Sequence, residues 1–156
     1  MIIFARFRTY CHATEEEGRV REALSFISGV PSKNITVTVN KGYHGNEIRV
    51  LETEVKKGPA LNKFLLALSE AGIFEKVKDE IASRIDEEGM FYLRFDKQEA
   101  FKGNFVLDSK ENTIQVSIRV QAYPANPETI LAALRSHIEK LTKMPKQKAD
   151  PAATGQ

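Results

Sequence analysis

The stretch Ile2-Ile3-Phe4-Ala5-Arg6-Phe7-Arg8-Thr9-Tyr10-Cys11-His12 decides the fold. Successive side chains of a strand point to opposite faces, so Ile3, Ala5, Phe7, Thr9 and Cys11 share one side, and Phe4, Arg6, Arg8, Tyr10 and His12 the other. The first side suits a core. A strand with a single apolar face needs one covering layer, and the rest of the chain has to supply it.

Further strands follow the same rule. Ile35-Thr36-Val37-Thr38-Val39 alternates cleanly, and residues 48–55 form a less regular partner. Between them, Lys41-Gly42-Tyr43-His44-Gly45-Asn46 packs two glycines, an aromatic ring and a histidine into six residues, the composition of a turn that can also carry function. Residues 90–96 set Phe91, Leu93 and Phe95 against Tyr92, Arg94 and Asp96. Residues 105–107 and 113–123 read as a hairpin through Asp108-Ser109-Lys110-Glu111-Asn112, its long arm alternating Ile114, Val116, Ile118 and Val120 with Gln115, Ser117, Arg119 and Gln121.

The covering layer is helical. Thr14 followed by Glu15-Glu16-Glu17 has the form of a capping box, opening a helix to about Ser28 with Val20, Ala23, Leu24 and Ile27 on one stripe; Gly29 and Pro31 end it. Gly58-Pro59 opens a second helix carrying Leu61, Phe64, Leu65 and Leu68. After Ala71-Gly72 a third carries Phe74, Val77, Ile81 and Ile85. Residues 96–103 form a turn and a short helical piece. Asn126-Pro127 caps a last helix with Ile130, Leu131, Leu134, Ile138 and Leu141 on its stripe. One-sided strands and one-striped helices predict an α+β two-layer sandwich, a mixed or antiparallel sheet with helices packed on one face. One domain is expected over residues 1–144. Residues 145–156, a Lys-containing stretch with nothing to bury, are expected to be a disordered tail.

Composition narrows the function classes. At 156 residues and 42% hydrophobic, the chain can build a normal single core. No apolar run approaches the roughly 20 residues of a membrane span, and the first residues lack the pattern of a leader, so a cytoplasmic protein without membrane contact is expected. Cys11 is the only cysteine, and with three histidines the chain has no complete metal motif, so neither a metal nor a cofactor is expected. The net charge of +2 is unevenly spread. Four Lys and one Asp fall in residues 140–156, leaving 19 basic and 20 acidic groups in residues 1–139. Attraction for a polyanion must therefore come from a local patch.

The open side of the sheet offers one. It would gather Arg6, Arg8, Tyr10, His12, Tyr92, Arg94, Arg119 and Gln121, with Asp96 as the only evident acid. Guanidinium groups interleaved with tyrosine rings suit phosphate contact and base stacking on single-stranded RNA. The glycine turn adds to the candidate set: Gly42 and Gly45 to bend the backbone, Tyr43 to stack, His44 to bond a phosphate or base edge, and Asn46 beside them.

Three motifs carry a resemblance. In order, Tyr10-Cys11-His12-Ala13-Thr14-Glu15-Glu16-Glu17, Gly42-Tyr43-His44-Gly45-Asn46-Glu47-Ile48, and Asp96-Lys97-Gln98-Glu99-Ala100-Phe101-Lys102-Gly103, with Tyr123-Pro124 after them, resemble an archaeal family of predicted RNA-binding proteins often described as candidate exosome subunits. The resemblance covers about residues 1–141. It implies a fold similar to that of the large-subunit ribosomal protein that contacts 5S RNA, RNA binding without catalysis, and RNA with exosome or ribosome-related proteins as partners in RNA processing. Phe101 departs from the more usual Tyr, removing a hydroxyl.

Two other classes stand beside this reading. A small RNA-processing enzyme could draw on Cys11, His12, His44 and Glu47, although Cys11 falls on the core face opposite His12. A protein interaction module would use the same sheet face, or the Lys-rich tail, without touching RNA.

Overall fold

A computed structural model describes residues 1–41 and 46–143. Among them, strands β1 (Ile2–Cys11), β2 (Thr36–Lys41), β3 (Glu47–Lys56), β4 (Met90–Asp96) and β5 (Thr113–Val120) form one sheet in the order β2-β3-β1-β5-β4. Every neighbouring pair is antiparallel. Helices α1 (Glu17–Ser28), α2 (Pro59–Glu70) and α5 (Pro127–Thr142) pack on the sheet, with α3 (Ile73–Val77) beside α2 and α4 (Lys97–Phe101) beside α1. The predicted α+β architecture is the observed one.

Alternation in β1 explains why the layers form. Ala5, Phe7, Thr9 and Cys11 are buried under the helices, whereas Arg6 and Arg8 are exposed on the opposite face. Phe7 meets Phe64 of α2 edge to face, ring centres 4.8 Å apart, a favoured aromatic geometry. The alternation fails at one point. The register between β1 and β5 slips between Ile2 and Phe4, so Ile2 turns into the core and Ile3, expected there, is left half-buried.

Three other expectations are corrected. Residues 105–107 do not form a hairpin with β5, which lies between β1 and β4. Instead they line the outer edge of β4: the Asp96 amide donates to the Val106 carbonyl and the Asp108 amide to the Arg94 carbonyl. Phe105 anchors this course by packing on Phe26 and Phe95, at 4.8 and 5.5 Å between ring centres. The helix expected over residues 74–85 is one α-helical turn followed by tighter 3-10 turns over Lys78–Arg84, which bury Val77 and Ile81 and leave Phe74 and Ile85 half-buried. The Thr14 capping box does not form either. Helix α1 is capped at Glu16 without a side-chain bond, while the Glu15 carboxylate turns back to accept from the His12 amide at 3.0 Å.

Glu15 is diverted by a lysine. Lys97, only 7% exposed, donates to the Tyr10 carbonyl at 2.6 Å, to Asn112 Oδ1 at 2.7 Å and to the Glu15 carboxylate at 3.1 Å. One ammonium thus ties the end of β1, the turn into α1, the start of α4 and the loop before β5. Asp96, next in the chain, caps α4 by accepting from the Glu99 amide at 2.8 Å.

At the far end of β4, Gly89 has φ +87°, a left-handed conformation, and an added Cβ would lie 2.7 Å from the Val120 carbonyl oxygen. The same two residues are joined by a hydrogen bond from the Val120 amide to the Gly89 carbonyl. Gly89→Ala combines backbone strain with a clash that only backbone movement relieves. It is expected to cost about 2 kcal/mol, read as a lowered urea midpoint at unchanged slope; an unchanged midpoint would show that the turn adapts freely.

Candidate nucleic-acid interface

The uncovered sheet face is organised in cross-strand rows. One runs Glu54, Arg6, Ser117, Tyr92 across β3, β1, β5 and β4; the next runs Thr36, Glu52, Arg8, Gln115, Arg94, beginning on β2. Arg119 pairs with Met90 at the other side of Tyr92, so Arg119 and Arg94 bracket the Tyr92 ring along the strand direction. All of these residues except Arg94 line a concavity of about 850 Å³, and Arg94 lies on the same face outside its lining. Four of the candidate residues, Arg6, Arg8, Arg94 and Arg119, are thereby brought onto one surface, with Tyr10 half-buried at its margin.

Sequence reading missed the acids. Asp96 does not represent the face, because its carboxylate caps α4. Glu52 and Glu54, on a strand whose alternation is blurred, project onto the open side instead. Arg6 Nε lies 2.8 Å from Glu54, and Arg8 Nη2 lies 2.7 Å from Glu52. The hydrogen bond to Glu52 is the main influence raising the Arg8 pKa further, ahead of the opposing effect of burial. Arg6 also stacks over the Phe4 ring at 4.4 Å. Arg94 and Arg119 have no ion-pair partner within 4 Å among the described residues.

Tyr92 is held in place. Its hydroxyl donates to Asp86 at 2.5 Å while the residue stays 41% exposed. That bond, with burial second, pushes the phenol up to about 12, so the proton stays on throughout the neutral range. The same bond holds the Asp86 carboxyl below its ordinary value against a smaller effect of burial, with help from the Met90 and Glu88 amides and the nearby Arg119 charge. The pairing is anchored across a turn of six residues, a spacing with no recognisable motif.

Other candidates lie elsewhere. His12 follows the last residue of β1, exposed in the turn into α1 and outside the rows of the sheet. Gln121 lies past the end of β5, its amide donating to the Met1 carbonyl. Asn46 is exposed just before β3, and Gly42, Tyr43, His44 and Gly45 fall outside the described residues, as does the tail from residue 144. Cys11 is buried, and burial followed by the charge of Glu15 pushes its thiol pKa up, away from the thiolate a nucleophile needs. No helix among the described residues is long and apolar enough to cross a membrane.

Comparison with known proteins gives a consistent picture. A family model described as RNA binding matches residues 5–120. RNA-binding protein PAB1135 of Pyrococcus abyssi is 36% identical over 143 residues, covering 86% of this chain and 92% of its own. Protein MJ0213 of Methanocaldococcus jannaschii is 31% identical over 126 residues, covering 75% and 84%. The solved structure of Mth689, a DUF54 protein from Methanothermobacter thermautotrophicus, superposes with a TM-score of 0.75 at 31% identity, over 88% of this chain and 98% of that one.

Proposed function

Because this chain belongs to the RNA-binding family, we propose that its open sheet face is a non-catalytic interface for single-stranded RNA. The observation that carries the proposal is Tyr92, an exposed ring clamped by Asp86 and bracketed by Arg94 and Arg119. A flat aromatic between two guanidinium groups offers a stacking platform for one base with phosphate contacts on either side. The raised pKa of the buried Cys11 thiol favours binding over nucleophilic chemistry. The motif resemblance further supports exosome or ribosome-related proteins as partners of the bound RNA.

The test compares one RNA sequence as a single strand and as a duplex. Stacking on an aromatic contributes about 1–3 kcal/mol per base, so Tyr92→Ala is expected to weaken single-strand binding by roughly five-fold or more. Duplex binding should change less, since its bases are already stacked. Equal losses for both forms, or none, would remove the stacking role. Partner binding that survives nuclease treatment with no RNA affinity would replace the RNA reading by that of a protein interaction module.

A further inference from the structure

The two ion pairs on this face have a consequence for the ligand. Arg6 and Arg8 line the same concavity as Arg119, with Arg94 on the same face, yet the Nε side of each of the first two guanidiniums is occupied by a carboxylate from the neighbouring strand. Arg8 donates from both Nε and Nη2 to a single oxygen of Glu52, at 2.9 and 2.7 Å, and Arg6 from Nε to Glu54. A carboxylate so placed uses the donors that a phosphate would use. The pairs are open to solvent, with side-chain exposures of 61% and 32% for Arg6 and Glu54, and 51% and 40% for Arg8 and Glu52. Exposed pairs of this kind are weak and exchangeable.

Resting on the RNA reading above, we propose that Glu52 and Glu54 are built-in competitors of RNA phosphate, which hold Arg6 and Arg8 in reserve and thereby set the affinity and salt dependence of the face. A phosphate arriving at a free arginine displaces a counterion from the nucleic acid, and this release drives binding. A phosphate arriving at the Nε side of Arg6 or Arg8 displaces a carboxylate, which is left in the concavity to repel the ligand or to collect a cation from solution, and one arriving at the remaining Nη donors meets a charge that the carboxylate already offsets. The gain at those two positions is therefore largely cancelled. Arg94 and Arg119 have no carboxylate within 4 Å among the described residues, and the Asp86 charge that Arg119 feels is already engaged by the Tyr92 hydroxyl and the Met90 and Glu88 amides. Arg6 and Arg8 are ion-paired with β3 whereas Arg94 and Arg119 are not ion-paired among the described residues, so the bound strand is confined to Arg119, Tyr92 and Arg94 rather than spread across the sheet.

The test uses a labelled oligouridylate, which stays single-stranded, and titrates it against the full chain across a salt series. Glu52→Gln with Glu54→Gln keeps shape and exposure while removing the competing charge. The double variant is expected to bind at least roughly five-fold tighter at low salt and to steepen the salt slope by up to about 1.4, two single-strand phosphates at about 0.7 each. On a background of Arg6→Ala with Arg8→Ala, the same two Gln changes should give no such gain, because the competition needs the arginines. A gain that persists on that background would mean the glutamates act only through general charge, and would overturn the proposal. So would unchanged affinity and slope in the double variant while Tyr92→Ala still weakens binding, which leaves the RNA reading standing. Absence of oligouridylate binding by the parent chain and the double variant alike would defeat both.

Discussion

Lys97→Met is expected to destabilise the chain by about 3 kcal/mol, the largest effect on folding of any single change considered. Methionine keeps the length and much of the volume of the stem, so the loss reads the ammonium itself. Without it the Tyr10 carbonyl and Asn112 Oδ1 lose a donor at 2.6 and 2.7 Å, and Glu15 loses its partner where only a quarter of its side chain is exposed. The pH dependence carries a signature. Burial pushes the Glu15 carboxyl up, but the His12 amide and then Lys97 outweigh it and hold the folded value below 4.5. A group whose pKa is lowered on folding contributes stability that is present above its unfolded value and lost as pH falls through the folded one. The difference between the parent and Lys97→Met should accordingly shrink as the pH drops below about 4.5. Chemical denaturation at neutral and acid pH reads both, and a Met variant as stable as its parent would show that the cluster is dispensable.

This cluster also explains what the motifs encode. Tyr10, Glu15 and Lys97 lie in two of the three stretches that carry the family resemblance, and they meet through one ammonium 82 residues away from its carboxylate. The resemblance was therefore carried in good part by scaffold: residues that hold β1, α1 and α4 together beneath the face where RNA is proposed to bind. Periodicity could not reveal this, because a lysine in a short charged helical piece reads as solvated, and only the approach of three other segments buries it.

Elsewhere the legibility of the chain followed its physics. Strands with strict alternation, β1 and β5, announced their inner and outer faces, and α2 and α5 their stripes, since burial on one side dictates those patterns directly. Strand order was not legible. Nothing local distinguishes β5 paired with residues 105–107 from β5 inserted between β1 and β4, a choice made by Phe105 packing on Phe26 and Phe95. The acids of the open face were hidden for a related reason. In Glu47–Lys56, Val50 and Leu51 are both buried, so the inside and outside of β3 are blurred until its register with β1 sets Glu52 and Glu54 opposite Arg8 and Arg6. At the Ile2 end a register slip exchanged Ile2 for Ile3 in the core, which no count of alternating residues anticipates.

The largest expected effect on binding belongs to the arginines without an ion-pair partner among the described residues. Arg94→Ala with Arg119→Ala removes both phosphate contacts proposed to flank Tyr92, and should weaken single-stranded RNA binding by roughly 10- to 100-fold at low salt, as expected for two charge-assisted bonds at an exposed site. Stability should change little, because both side chains leave the core untouched. Arg6→Ala with Arg8→Ala should cost less affinity than this, despite removing the same number of charges, since Glu54 and Glu52 already occupy those groups. The salt dependence of oligouridylate binding for the Arg94→Ala, Arg119→Ala chain tests the RNA face most directly: its log–log slope should be shallower than the parent's by about 1.4, whereas a slope and affinity equal to the parent's would place the RNA somewhere other than this face.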